Sequence, residues 1–381
     1  MRFHLGVFAA LCITGATYAH PEDPVRLRLD YSISYDSNYF RVANDAQALA
    51  LLGSTDTSVT TYRTGVGIDA DLRFARQLVV LKGDFARVDF DRVFLKPTTE
   101  LNALADWKWV LGNRLSGGLN YRISESLQSQ ADVSSTEQSK LAQTIVGFSA
   151  SYQVNPSFYL DYGLNESTYK YAPVARKVLD HNERSQSLGW RLPTRAGNFL
   201  GMQYRTTEGD YPQQVPARTF EQTELNFNGS WAPSGMSRIA WAFGQTRRID
   251  GATTTRQPTW SLNGNWTPTG KTNFTASWGR TVGSSENANI STTTVTDNAA
   301  LGATWNATGK VTLSGTLRGQ NVQYDTTGRT DQIRGGGFIL GYQALRSVQA
   351  TVGYDTERRN STLDSVEYRA EKWSAGLRAA F

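Results

Sequence analysis

The chain has 381 residues, a formal net charge of +5 and a mean hydropathy of −0.44. No stretch approaches the ~18 consecutive apolar residues that a transmembrane helix needs, which excludes a helical membrane protein. The mild charge shows no clustered basic face, which excludes nucleic acid as a partner. Strand- and turn-forming residues are abundant instead, with 34 glycines, 10 tryptophans and 11% aromatic residues.

The first nineteen residues predict a secretory signal peptide. Arg2 gives a positive start, residues 5–13 are apolar, and Thr17 and Ala19 supply small side chains before a cleavage site. We therefore expect residues 1–19 to be removed and residues 20–381 to form a single domain. The only cysteine, Cys12, would be lost with the signal, so neither disulfides nor cysteine-based metal sites are expected.

The mature chain then alternates apolar and polar side chains over successive segments of about 10–14 residues, long enough for tilted strands that cross a bilayer. Eight short turns alternate with nine longer connections, which predicts about eighteen strands, with sixteen also compatible. The longer connections lie around residues 38–58, 92–97, 124–139, 173–183, 207–218, 249–257, 283–293, 326–332 and 358–365. This asymmetry is typical of a transmembrane antiparallel up-and-down β-barrel with short periplasmic turns and longer external loops.

Three of the short turns share one pattern that begins with tryptophan. They are residues 231–236 (WAPSGM), 266–271 (WTPTGK) and 305–310 (WNATGK). Proline is expected at the first corner of the turn, and glycine is expected to supply a positive φ. A β-propeller needs four strands in a repeat of ~40–45 residues, whereas a comparable length holds only two strands here, so a propeller is excluded.

Aromatic side chains mark both the turns and the last strand. Trp231, Trp266 and Trp305 stand beside short turns, where an aromatic girdle at the membrane surface would place them; core packing in a soluble β-protein is the alternative. In the last segment Trp373 and Leu377 share one face, and Ser374 and Arg378 share the other. The final Phe381 resembles the terminal signature through which outer-membrane barrels engage the barrel assembly machinery.

If the apolar faces contact lipid, the intervening charged residues face the lumen. The candidates are Arg63, Asp69, Asp71, Asp106, Lys108, Arg122, Asp161, Arg205, Arg248, Arg318 and Arg378. They predict either a polar conduit whose arginines attract anionic solutes or the ion-paired interior that any wide barrel needs. In residues 82–92 the parity of the charges changes, because Lys82 and Asp84 have one parity and Arg87 and Asp89 have the other. Two alternatives would explain this change: a bulge in the strand, or a strand that rises above the membrane.

The sequence predicts no enzyme. The mature chain has only His20 and His181, and His181 is expected on a solvated external loop close to Ser185. There is no Gly-x-Ser-x-Gly elbow and no metal-ligand spacing, so we expect no catalytic residue, metal or cofactor.

Several short motifs resemble known outer-membrane families. The first, residues 35–41 (YDSNYFR), is similar to the opening strand of several β-barrel porins. The others resemble the EpsL-type outer-membrane proteins, which are associated with exosortase-linked extracellular polysaccharide biosynthesis. They are residues 107–109 (WKW), 112–117 (GNRLSG), 208–212 (EGDYP), 244–248 (GQTRR) and 268–272 (PTGKT).

The resemblance implies an outer-membrane component of exopolysaccharide export that acts as a passive polar conduit. Its partners would be outer-membrane lipids, exopolysaccharide and periplasmic export components. The alternatives are a general or sugar-selective diffusion porin and a structural or adhesion barrel.

Overall fold

The computed structural model describes residues 24–131, 135–172, 174–194, 197–284, 293–325 and 327–381. The predicted signal peptide and His20 lie outside these described residues. Eighteen strands follow one another along the chain. They are β1 Val25–Asp36, β2 Val59–Phe74, β3 Gln77–Phe90, β4 Thr98–Leu111, β5 Leu115–Leu127, β6 Lys140–Asn155, β7 Phe158–Tyr171, β8 His181–Pro193, β9 Phe199–Tyr211, β10 Arg218–Ser234, β11 Ser237–Asp250, β12 Thr253–Thr269, β13 Thr272–Ser284, β14 Thr293–Asn306, β15 Val311–Tyr324, β16 Thr330–Leu345, β17 Val348–Ser361 and β18 Tyr368–Ala380.

These strands close into one antiparallel barrel. Each strand pairs with its neighbours in the chain, and β1 pairs with β18 from Arg28 opposite Ala380 to Asp36 opposite Lys372. The backbone of Phe381 extends this seam, because its N–H donates to the Leu27 carbonyl at 2.8 Å. Closure satisfies the backbone hydrogen bonds of both edges. The predicted up-and-down barrel of about eighteen strands is therefore confirmed.

The connections are short at one end of the barrel and mostly longer at the other. One outer connection is shorter than expected: β11 and β12 are joined by Gly251 and Ala252 alone, with Gly251 at φ +60°. The prediction of a loop over residues 249–257 was wrong because both strands continue with polar side chains, and Arg247 lies opposite Arg256. In this part of the chain polarity marks the outer end of a strand and not a loop.

The geometry predicted for the tryptophan-containing turns was also wrong. Gly235 and Gly270 do not have positive φ angles. Pro233 and Pro268 lie inside β10 and β12, within the register shifts that separate Trp231 from Ser234 and Trp266 from Thr269. Proline lacks a backbone N–H, so a bulge in the strand is the place where the ladder tolerates it.

Side chains alternate between an apolar outward face and a charged inward face. In β1, the exposed Leu27 lies opposite Ile68, which is also exposed. Arg28 shares the other face with Asp69 and reaches Asp84 two strands away. Side chains on the concave face of a closed wall converge, which explains why ion pairs that skip a strand form there. The charged face is therefore the inner one.

The conflicting parity of residues 82–92 is explained by the length of β3. It pairs with β2 without a register shift from Thr61 opposite Phe90 to Phe74 opposite Gln77, which rules out a bulge in this ladder. Lys82 and Asp84 face inward, while Arg87 and Asp89 form an outward pair at 3.0 Å near the outer end of the strand. The strand thus extends beyond the apolar band.

An α-helix and two 3-10 turns lie in the outer connections. Helix α1, Asp45–Leu52, begins at Asn44, whose side chain accepts the Gln47 N–H, and it ends at Gly53 with φ +67°. Short 3-10 turns cover Val174–Leu179 and Asp364–Val366. Within the part of the chain that the structure describes, no helix is both long and apolar enough to cross a membrane.

Candidate functional site: the lumen and its inward loop

The inner wall carries a network of ion pairs, most of which join different strands. Arg63 of β2 reaches Glu100 of β4 at 3.1 Å, and Arg318 of β15 reaches Asp355 of β17 at 2.7 Å. Further pairs are Arg26–Asp71, Arg28–Asp69, Lys108–Asp106, Arg191–Asp161, Arg205–Glu224, Arg248–Asp250, Arg318–Glu357 and Arg378–Asp30. Most inward charges are thus neutralised by a neighbour.

Ten of the eleven predicted lumen residues belong to this network. They are Arg63, Asp69, Asp71, Asp106, Lys108, Asp161, Arg205, Arg248, Arg318 and Arg378. Sequence reasoning missed most of their partners, such as Arg28, Glu100 and Asp355. The same alternation places these partners on the inward face, but only the register between strands shows which charges lie close together.

Several inward cations stand outside the network, among them Lys82, Arg122 and Lys372. Lys82 and Arg122 occupy one cross-strand row, separated only by Leu104 of the intervening strand, which puts their backbones about 10 Å apart. Both are exposed, as is Lys372 on β18. Among the described residues, no carboxylate lies within ion-pair distance of any of the three. They therefore leave the lumen with local positive charge.

The outer connection at residues 37–58 packs against the inner side of the barrel mouth. Phe40, Val42 and Ala48 form a buried apolar cluster with Val59 of β2 and with Leu95, which follows β3. Val59 shares the inward parity of Arg63, and it is completely buried. Because the cluster is built on an inward-facing strand residue, this loop, here called loop 1, lies across part of the mouth.

Polar contacts hold loop 1 in place at both ends. The Asp36 carboxylate accepts from the Arg41 guanidinium at 2.9 Å, and the Asn38 side chain donates to the Arg369 carbonyl at 3.1 Å. At the other end Arg92 lies 2.5 Å from Asp56. The Ser58 hydroxyl, followed by the Arg92 guanidinium, lowers the pKa of Asp56 to about 2. Burial raises the pKa of Tyr39 to about 12, so that the phenol is neutral.

Beneath loop 1 the inner wall encloses a cavity of about 510 Å³. Tyr39 and Arg41 of the loop line it from the outside, and Arg63, Glu100 and Lys372 line it from the wall. Hydroxyl groups of nearby serines add hydrogen-bonding capacity. The cavity combines one unpaired cation with polar neighbours, and it is large enough for a small polar solute to pause there.

His181 is not on a solvated loop, and that prediction was wrong. It begins β8, is buried, and stacks on Tyr169 with ring centroids 4.2 Å apart. Its Nδ1 lies 2.7 Å from the Leu179 carbonyl. Within the described chain no hydrogen bond joins this ring to Ser185, and its contacts with Tyr169 and the Leu179 carbonyl brace the wall.

The predicted girdle tryptophans lie on the outward face beside the short turns. Trp231, Trp266 and Trp305 are each about half exposed. Trp266 stacks on Phe274 of the next strand, with ring centroids 5.4 Å apart. Their role as a girdle stays a prediction, and so does the role of Phe381 as an assembly signal.

Comparisons with known proteins agree on the architecture. The family model described as "Putative beta-barrel porin 2" matches residues 246–381. The Pseudomonas aeruginosa porin OccK2 (OpdF) is similar in fold, with 12% identity over 94% of this chain and 98% of that one and a TM-score of 0.52. A second structure of that porin, in complex with glucuronate, has 11% identity, the same coverage and a TM-score of 0.51.

A BenF-like porin from Pseudomonas fluorescens Pf-5 is also similar in fold. It is 11% identical over 94% of this chain and 99% of that chain, with a TM-score of 0.50. No curated protein matches the sequence significantly. The chain thus has the fold of outer-membrane β-barrel porins, as the sequence predicted.

Cysteine labelling can test the orientation of this barrel. We expect Arg87→Cys to react with a membrane-impermeant maleimide on intact cells, since its side chain faces outward and is exposed near the outer end of β3. Ser157→Cys, in the exposed short turn after β6, should react only after the outer membrane is permeabilised. Labelling of Ser157→Cys but not Arg87→Cys on intact cells would reverse the assignment.

Proposed function

We propose that this chain is a passive diffusion porin that admits small polar solutes and favours anions. The observation that carries the proposal is the imbalance of the inner wall, where most charges are paired but Lys82, Arg122 and Lys372 are not. A wide barrel with a charged, hydrated interior conducts ions unless loops close it. Loop 1 covers one side of the mouth and would act as a partial constriction.

The distribution of carboxylates supports a channel rather than an enzyme. Asp69, Asp161 and Asp355 are each held by an arginine within 3.2 Å. Oxygens that already accept from a guanidinium are occupied, so these carboxylates are not free to take a proton from a passing solute. Such pairs fit a wall that solutes pass without reaction.

Electrophysiology on the purified barrel tests this function. In planar bilayers under a KCl gradient we expect open-channel conductance and a reversal potential of the sign that marks anion preference. Liposome swelling should be faster with glucuronate than with neutral glucose, two probes of similar size but different charge. A barrel that does not conduct, or one that prefers cations, would contradict the proposal.

The role in exopolysaccharide export stays a prediction of the sequence resemblance. A strain lacking the protein separates the two roles when it is scored for secreted polysaccharide and for uptake of small anions. Reduced uptake with normal polysaccharide would support the porin, whereas the reverse result would favour export.

A further inference from the structure

Three arginines lie side by side on the outward face of the barrel. The register places Arg334 of β16 directly opposite Arg358 of β17, and Arg358 directly opposite Arg369 of β18. All three side chains are exposed. They share the outward parity of Phe338, Tyr354 and Trp373, so they point away from the lumen. This set is called the arginine row below.

The arginine row is electrostatically unfavourable as it stands. Like charges directly opposite one another destabilise a sheet, and adjacent strands are only ~4.8 Å apart. One carboxylate offsets part of the charge, because Glu371 accepts from Arg369 at 2.8 Å. Arg358 donates from Nε to the neutral Asn360 side chain at 2.9 Å. The row therefore keeps an excess of positive charge that an external anion would neutralise.

The charge of the outer rim differs from sector to sector, and a second facing pair of outward arginines, Arg247 and Arg256, lies on β11 and β12. On the outward face of β7 to β10 the outer ends carry Glu166, Glu208, Asp210 and Glu221 around Arg184. Further round, Arg280 is paired with Asp297 at 2.6 Å. A general need for solubility would not separate the charges in this way, so the arginine row requires its own explanation.

An apolar groove of about 1280 Å³ runs along the outward face and ends at the arginine row. It follows one continuous cross-strand row, in which Gly264, Ala276, Leu301, Leu317 and Gly336 are successive partners. Short side chains form its floor, and rings such as those of Trp266 and Phe338 form its walls. Arg334, Arg358 and Arg369 all line this groove.

The arginine row also stands at the right height for a lipid headgroup. Arg358 is about ten residues from the short-turn end of β17. At ~3.3 Å per residue and a tilt of ~40°, that distance corresponds to ~25 Å, the height of the apolar band of a barrel. The groove below would then lie among acyl chains, and the guanidinium groups would lie in the outer headgroup layer.

We propose that the arginine row binds the phosphate of an outer-leaflet lipid whose acyl chain lies in the groove. The planar guanidinium forms paired hydrogen bonds with phosphate oxygens, and three in a row suit a multiply charged headgroup. The phosphate neutralises the like charges, and the chain fills the apolar groove. This site lies outside the lumen and goes beyond the proposed transport function.

Binding to the purified, delipidated barrel tests the proposal by native mass spectrometry. Diphosphoryl lipid A should remain bound, and a dephosphorylated lipid A should bind at least about tenfold more weakly, because it lacks the charge-assisted hydrogen bonds. Inorganic phosphate in excess should not displace the lipid. Equal binding of both lipids, or full displacement by inorganic phosphate, would overturn the assignment.

Variants locate the site on this face. Combined Arg334→Gln, Arg358→Gln and Arg369→Gln should reduce lipid A binding at least about tenfold while conductance stays unchanged. Arg87→Gln is the matched control, since it removes an outward arginine at the outer end of a distant strand. Ala303→Phe, which fills the groove with an apolar ring, should also weaken binding. If the control variant lost as much lipid as the triple variant, the arginine row would not be the site.

Discussion

Replacing residues 38–57 with a short glycine–serine linker should raise single-channel conductance at least about twofold, because it removes the segment that covers part of a wide mouth. Asp36 and Val59 are directly opposite in the β1–β2 ladder, so a tight turn can join the two strands without disturbing their pairing. Single-channel recording in planar bilayers gives the measurement, and heat-modified gel mobility shows whether the barrel is folded.

A point variant tests whether the packed position of loop 1, and not only its presence, narrows the mouth. Phe40→Ser places a hydroxyl in the buried cluster of Phe40, Val42 and Val59, so we expect loop 1 to detach at times. Recordings should then show larger open levels and more noise. Replacing the outer connection at residues 212–217 is the control, because it does not belong to the loop 1 cluster. Unchanged conductance in both loop 1 variants would mean that loop 1 does not constrict the channel.

The barrel itself was predictable because a strand has a strict two-residue period. A side chain two positions along returns to the same face, so Arg63, Asp69 and Asp71 could be assigned to the lumen from parity alone. The number of strands followed from counting short turns, and the apolar alternation of residues such as Leu313 and Leu317 marked the outward face. Local periodicity was sufficient for these features.

Features that depend on register or on distant contacts were not predictable. Arg63 pairs with Glu100 two strands away, and nothing in the sequence of either strand predicts this contact. Loop 1 folds inward because Phe40 meets Val59 and Leu95, residues that are apart in sequence. The polar residues 249–257 suggested a loop, since strands that rise above the apolar band lose the alternation that identifies them.

The same distinction applies to the arginine row and to the cations of the lumen. Arg334, Arg358 and Arg369 are unremarkable in sequence, and only the register of three strands brings them together. Lys82 and Arg122 likewise become neighbours through Leu104. Charge that is dispersed along the chain is concentrated by pairing, which is why net charge alone predicts little about selectivity.

Reversing the charge of Lys82 and Arg122 should convert the channel from anion-preferring to cation-preferring. A unit charge ~4 Å from a passing ion contributes ~1 kcal/mol in water, which changes the local ion concentration about fivefold. The double variant Lys82→Glu and Arg122→Glu places two carboxylates where two cations stood, so its reversal potential should change sign under a KCl gradient. The effect should weaken in 1 M salt, where the Debye length falls to ~3 Å.

A charge-swap variant tests whether the paired charges of the lumen also affect ion preference. Asp30 and Arg378 face each other across the β1–β18 seam and are paired at 2.6 Å. Exchanging them as Asp30→Arg and Arg378→Asp changes both residues but keeps the pair, so the reversal potential should match that of the unmodified barrel. If the swap altered selectivity as much as the reversal of Lys82 and Arg122, the paired network would govern ion preference. If ion preference follows the unpaired cations alone, the selectivity of the channel is set by the few positions at which its ion-pair network is incomplete.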